Sequence, residues 1–446
     1  MPVWLIPMVY VAAAVLGSVT LPRLEHAFFA SYFNDVSVNS ALAFLSAIAS
    51  GMMSLTAIVF SIAYITVQFN AIAYSPRLAL WFARDRGIFH TCGLFMATFI
   101  SALGAMNWVD RGGSSGVPLF SSLLVGILLV VSMIQFTRLV RGLINMQVTN
   151  TLHLIGDQGR KVITDMFQRV DREPVGPRMV PPAERPVLGP AIQTLRYDGQ
   201  PRCIARFVIA DLVRLAEQQG AVIDIACAVG DTVVDATVLL TVHGAAAPLP
   251  EAALRRAIVL RPDRTFEQDP KYPIRLLVDI AIKALSPAIN DPTTAVQALD
   301  QIEDLLHRLG RRELDAGYAW DAAGVLRVIF PMPSWEDYLR LAFDEIRHYG
   351  AGSVQVMRRL RSALAGVAEA AVDEARTLAV QRYRKQLDLV IERSTLDAED
   401  RMVASQEDRQ GLGVSRKRAP APASPAATPR PVEPSPAPAP VRVSAP

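Results

Sequence analysis

The first third of the chain is written in long apolar runs, and the remainder is not. Trp4 to Leu21, Ala41 to Gln68, Ile88 to Val109 and Val117 to Phe136 contain no Lys, Arg, Asp or Glu. At about 1.5 Å of rise per residue, each is long enough to cross a hydrocarbon layer about 30 Å thick. Residues 1–150 are therefore expected to form a membrane domain of about four transmembrane helices. The first run has no basic residue before it and no small-residue cleavage site at Val19-Thr20-Leu21-Pro22, so it is expected to be retained.

Behind the fourth run, Leu139, Leu143, Val148, Leu152 and Ile155 recur at helical spacing and predict a helix leading out of the membrane. It should end before the proline-rich stretch from Asp171 to Pro190, so residues 151–190 read as a connecting helix and linker. Residues 191–250 read as a small α/β or β-barrel-like unit. Ile192 to Tyr197 and Arg202 to Phe207 flank an Asp198-Gly199 turn and suggest a hairpin. A helix from Asp211 to Gln219, a strand from Ala221 to Ala228 and strands after Gly230-Asp231 follow. The last of these resembles the hairpin pattern G-D-x-V-x-x-G-x-x-L, with Ala236 where that pattern favours Gly. A carrier domain would place a lysine at the hairpin tip. None occurs between Cys203 and Gly244, so a structural or interaction role is expected.

Residues 251–395 read as a helical subdomain. Leu276, Leu277, Ile280 and Leu285 share one face of a helix that Ser286-Pro287 ends, and Asp291 with Pro292 has the chemistry of an N-cap and first helical position for the next helix, which should run to about Gly310. Ser334 with Asp337 forms a capping-box pair ahead of a helix carrying Trp335, Tyr338, Leu339 and Phe343. After Gly350 to Gly352, one long helical segment is expected from Val354 to about Arg393, with Arg358, Arg359, Arg361, Glu369, Asp373 and Glu374 on a solvated face. Residues 396–446 are rich in Pro, Ala and Ser and are expected to be disordered. The fold class is thus an α-helical membrane domain followed by an α/β plus helical region, mainly α overall.

Charge sets the orientation. Arg77, Arg84 and Arg86 lie between the second and third runs and Arg138 and Arg141 follow the fourth, whereas only Asp110 and Arg111 separate the third from the fourth. Basic flanks stay on the cytoplasmic side, so a multi-pass bacterial inner-membrane protein with both termini cytoplasmic is expected, with Arg23 after the first run on the wrong side. A net charge of +3 gives no support for nucleic acid as a partner. Cys92, Cys203 and Cys227 have neither CxxC spacing nor a nearby His, and read as small buried hydrophobes.

Two places carry candidate chemistry. In the second run Ser46, Ser50, Ser54, Ser61, Tyr64 and Gln68 fall within an arc of about 80° on a helix. Such a row is suited either to close helix packing with hydrogen bonds across the contact or to a wet lining for an ion or small polar solute, the latter if several copies share an axis. The second place is the stretch from Arg261 to Asp300. Asp263, Arg264, Asp269, Asp279, Lys283, Asn290 and Asp291 would offer oxygen ligands to a hard cation or polar ligand if they converged; otherwise they cap helices and form ion pairs.

The run RLLVDIAIKALSPAINDPTTA, the upstream RPDRTFEQDP and the membrane-proximal TAIVFSIAYITVQFNAIAYSPR resemble the bacterial predicted membrane proteins grouped as domain of unknown function 2254. The resemblance reaches to about Ser394. It implies the topology and fold above and supplies no established reaction. No nucleophile elbow, P-loop, dinucleotide fingerprint or metalloprotease motif is visible, and the histidines are scattered, so no enzyme activity and no cofactor are expected. The expected function is a homo-oligomeric, channel-like or transport-related conduit in the lipid bilayer, gated by its soluble region. The competing reading is a membrane-anchored sensor or scaffold without transport.

Overall fold

The computed structural model describes residues 4–28, 37–73, 86–109, 117–144, 148–170 and 186–413. Arg77, Arg84, Asp110 and Arg111, most of the linker and the tail beyond 413 lie outside the described residues. The apolar runs form α1 (Leu5–Phe28), α2 (Val38–Ala73), α3 (Arg86–Met106) and α4 (Leu119–Ile144), each containing a stretch long and apolar enough to span a bilayer. Central α3 touches the other three. Leu45, Met52 and Val59 of α2, Phe95 and Ala102 of α3 and Val125 of α4 form a shared core. Gly93 and Gly104 bring α3 against Tyr10 and Ser18 of α1, closer than a Cβ would permit. Two pairs of polar groups meet on these inner contacts: Thr98 Oγ1 lies 3.1 Å from Ser132 Oγ, and Gln135 Nε2 donates to Thr91 Oγ1 at 3.4 Å. Buried Glu25, at the end of α1, accepts from the Phe120 and Ser121 N–H groups and, at 2.6 Å, from the Ser121 hydroxyl, which caps the N-terminus of α4.

The soluble region opens with α5 (Val148–Met166), whose Gly156 and Gly159 let Gln301 and Leu305 pack onto its backbone. The α/β unit that follows contains β1 (Ala191–Arg196), β2 (Arg202–Phe207), α6 (Ile209–Gln218), β3 (Val222–Ile225), β4 (Thr232–Val233), β5 (Val238–His243), α7 (Glu251–Arg256) and β6 (Ile258–Arg261). The expected β1–β2 hairpin does not form: β1 pairs with β5, and β2 pairs with β4 and β6 in a second sheet. The connection at Asp198 to Gln200, with Gly199 at φ +141° and the Tyr197 hydroxyl donating to the Gln200 carbonyl at 2.5 Å, diverts the chain from one sheet to the other. Ala236 adopts φ +63°, the left-handed conformation that explains why the hairpin pattern favours Gly there.

Helices α8 (Lys271–Ala284) and α9 (Pro292–Leu309) are joined by the break read from the sequence, and the Asp291 side chain accepts from the Thr294 N–H at 3.1 Å. Two short strands, β7 (Tyr318–Trp320) and β8 (Leu326–Ile329), then return to the α/β unit. The five-stranded sheet runs β1-β5-β3-β8-β7 and is antiparallel except for β3–β8; the other sheet runs β4-β2-β6. The unit therefore extends past residue 250 and takes in a later segment, because strands of three or four residues carry too little pattern to announce themselves.

The chain ends, as described, in α10 (Trp335–Tyr349), α11 (Val354–Ala370), α12 (Glu374–Glu392) and α13 (Ala398–Ala404). The expected long helix from 354 to 393 is two helices: Ala371 turns to an extended conformation and Asp373 caps α12. Arg358 and Arg359 are buried, not solvated, at 1% and 4% exposure. Residues 396–413, expected to be disordered, are folded. Asp408 accepts from the N–H groups of Gln410, Gly411 and Gly413 and shapes a strap whose Gly413 carbonyl accepts from Arg358 Nη1 at 2.8 Å. One apolar core joins α5 and α8 to α13; a second fills the α/β unit.

Candidate functional site

On α2 the buried side is Ala41, Leu45, Ile48, Ala49, Met52, Thr56 and Val59. Ser46, Ser50, Ser54, Ser61, Tyr64 and Gln68 are all exposed, about 180° around the helix from that side. Ser54 Oγ donates to the Ser50 carbonyl at 3.0 Å, and Gln68 Nε2 to the Tyr64 hydroxyl at 3.1 Å, both within the same helix. The row is therefore not a packing surface for its own bundle. It also has a regularity that the polar residues alone conceal. Ala43, Ala47, Ser50, Ser54, Ala57, Ser61, Tyr64 and Gln68 alternate in steps of four and three, all exposed. That is the seam spacing of a left-handed helix–helix contact, filled almost entirely by small side chains.

The seven central-motif residues do not assemble into one site. Along α8, about 20 Å of helix separates the Asp269 end from the Lys283 end. At the first end Asp269 is fully buried. Its Oδ1 accepts from the Lys271 N–H at 3.1 Å, and its Oδ2 lies 3.6 Å from Arg264 Nε with no hydrogen-bond partner. Arg264 Nε also donates to the Gly230 carbonyl at 2.9 Å, and Gly230, at φ +89°, leaves the space that the two side chains fill. Burial pushes the Asp269 carboxyl above its usual range, against the pull of Lys271 and Arg264. Asp263 is exposed on the preceding loop. Asp279 is held by Arg275, whose guanidinium also grips Glu345 with two bonds of 2.8 Å. At the far end, half-buried Lys283 precedes the break, exposed Asn290 adopts φ +48°, and Asp291 caps α9. Among the described residues, no three His, Cys, Asp or Glu side chains converge as metal ligands.

What the structure does assemble is a cleft between the α/β unit and the helices. One part, about 340 Å³, is lined by Met166, Phe207, Ile209 and Phe330 with Asp269. The other, about 620 Å³, is lined by Arg264, Arg275, Arg340, Asp337, Asp344 and Glu345. Lys271, Ala228 and Pro331-Met332-Pro333 line both, so the two are one continuous groove. Burial alone would lift the Asp337 carboxyl, but the Ser334 N–H and hydroxyl, with Arg340 and Lys271 nearby, hold it below its usual range. The bonds from Arg275 hold Glu345 down likewise, outweighing its own burial. Only Arg264 and Asp269 of the sequence candidates reach the groove. Lys271, Arg275, Arg340 and the Pro331-Met332-Pro333 wall come from segments distant in sequence, and no local motif announces them.

No solved structure matches the chain. Two uncharacterized mycobacterial proteins, Rv1290c of Mycobacterium tuberculosis and Mb1321c of Mycobacterium bovis, are each 27% identical over 397 residues, covering 85% of this chain and 73% of the relative. The pattern of the predicted membrane proteins called DUF2254 matches residues 2–366, which takes in all four membrane helices, the α/β unit and the groove-lining segments. On that match, the chain belongs to the DUF2254 family of predicted membrane proteins.

Proposed function

We propose that the protein is an oligomeric membrane conduit for ions or small polar solutes, in which α2 from several copies faces a shared axis and the soluble region gates the path. The observation that carries this reading is the exposed α2 seam. A row of hydroxyls facing lipid gains nothing, while the same row around an axis either packs closely or holds water. Its spacing suits a left-handed bundle, and it carries no charged residue from Ala43 to Gln68.

The test is ion flux through the full-length protein in liposomes, beside a version ending after Gly413 and empty liposomes. The truncation point matters because the strap through Asp408 to Gly413 belongs to the folded core. Ser50→Leu and Ser61→Leu are expected to cut flux at least tenfold without lowering the yield of folded protein. Cys92, Cys203 and Cys227 are buried, so Ser54→Cys supplies one exposed thiol among the described residues and is expected to cross-link copies. A strict monomer with no cross-link and no flux overturns the reading. Cross-linking without flux favours the second reading, a membrane-anchored sensor or scaffold, for which the soluble groove is the supporting observation.

A further inference from the structure

We infer that the groove between the α/β unit and the helices binds a small soluble amphipathic phosphate, a mononucleotide in size and chemistry. The apolar body would lie among Met166, Phe207, Ile209 and Phe330, and the phosphate against Lys271 and Arg340. This stands independently of whether α2 lines a conduit.

The argument begins with size. Each part of the groove lies at or above the lower end of the range of small-molecule pockets, about 300–1,000 Å³, and one is largely apolar while the other is lined by charge. The charged part is lined by four cations, Arg264, Lys271, Arg275 and Arg340, and three carboxylates, Asp337, Asp344 and Glu345. Glu345 is occupied by the two bonds from Arg275, Asp344 lies 3.2 Å from Arg347, and Asp337 accepts from both the N–H and the hydroxyl of Ser334. Arg264 is turned inward to Gly230 and Asp269. Lys271, whose ammonium has three donors and gives one to the Val229 carbonyl at 3.1 Å, and Arg340, two-thirds exposed, 3.7 Å from Asp337 and hydrogen-bonded to the Tyr383 side chain, keep donors to spare. Both sit close enough to Asp337 to lower its pKa. Both line the charged part of the groove, where an anion would find two charge-assisted donors.

In the apolar part the acidic side chains are accounted for in the same way. Glu267 lies 3.1 Å from Arg206 and 3.6 Å from Arg261, and Asp269 is buried against Arg264, which leaves exposed Asp165 at the rim. A flat apolar ring with an exocyclic amine is complementary to aromatic and proline walls with one carboxylate at the edge. A soluble ligand is favoured over a lipid headgroup because the groove's α5 residues, Asp165 and Met166, stand at the end of that helix remote in sequence from α4, about 27 Å of helix away from its start.

The experiment is calorimetric titration of the full-length protein in detergent with adenosine, guanosine, cytidine and uridine monophosphates, and separately with adenosine and inorganic phosphate. At least one monophosphate is expected to saturate, with its nucleoside and free phosphate each at least tenfold weaker. Lys271→Met and Arg340→Met should each weaken it at least tenfold, and Arg214→Met, on the distant surface of α6, should leave it unchanged. Arg340 is a surface residue whose replacement spares the fold, so a failure of Lys271→Met to fold would not remove the test. No saturation by any monophosphate up to millimolar concentration overturns the inference, as does affinity unaltered in Arg340→Met. Binding confined to phosphatidylglycerol vesicles, lost in the same variant, also overturns it and assigns the cations to a lipid headgroup.

Discussion

The membrane helices and the soluble region treat polar groups in opposite ways. In the soluble region, most buried charge is met by partners within the chain: Arg359 reaches Asp300 at 2.7 Å and Glu303 at 2.5 Å, and Asp321 accepts from Arg327 at 2.8 Å and from two backbone N–H groups of its own turn, while Asp269 Oδ2 keeps no hydrogen bond. In the membrane domain, among the described residues, such closure is confined to the contacts around α3 and to Glu25 at the start of α4. Half of the α3 span is buried, against 11% of α1 and 17% of α4. Exposed Leu, Ile and Phe on those helices are what a lipid-facing surface needs. The hydroxyl row on α2 is not. The contrast therefore separates two kinds of exposure, one completed by the bilayer and one that calls for protein or water.

The sharpest break of this comparison is expected inside the soluble core. Phe343 of α10 is 1% exposed and belongs to the cluster joining α5 to the last helices. Phe343→Ala should cost about 3–5 kcal/mol, read by urea unfolding of the full-length protein in detergent. A cost below 1 kcal/mol would mean that the core joining α5 and α8 to α13 does not hold the soluble region together.

The next effect distinguishes closed from open faces within the membrane. Gly104 of α3 lies against Ser18, and a Cβ there would overlap it, whereas a Cβ at Gly51 of α2 meets nothing within 4 Å. Gly104→Val should destabilise the detergent-solubilised protein by about 1–3 kcal/mol. Gly51→Val should leave it nearly unchanged. Equal losses at both positions would show that α2 is covered on that side as well.

The sequence revealed those features that are local. The α8–α9 break was legible because Ser286-Pro287 and Asp291-Pro292 stop and start helices whatever surrounds them, and the four spans were legible because length and hydropathy decide them. The β1–β2 pairing was misread because the true partners come later: β5, more than 40 residues on, for β1, and the two-residue β4 together with β6, 50 residues on, for β2. Arg358 and Arg359 read as solvated because charge is visible in sequence and the strap that covers them is not. The polar row on α2 was visible from one helix, but its outward direction depends on α3. The groove was invisible, since its walls combine segments far apart in sequence, among them Asp165-Met166, Phe207 to Ile209, Ala228-Val229, Arg264 to Arg275 and Phe330 to Glu345.

The smallest effect tests how completely charge is closed off in the soluble region. Glu345 is 43% exposed, yet its carboxyl is held below its ordinary value, near 4.5, by the two bonds from Arg275, outweighing burial. A lowered folded-state pKa means that the unfolded chain takes up its proton first as the pH falls. The contribution of this carboxylate is therefore present in full above about pH 4.5 and disappears as the pH drops through the folded value. Solvent screening at this exposure limits it to about 0.5–1 kcal/mol. Glu345→Gln should cost that much at pH 7 and nothing once the pH is well below 4.5, measured as the difference in urea midpoint between the two proteins. A difference that persists at low pH would assign the loss to packing against α8, and the soluble region would then owe less to paired charge than its geometry implies.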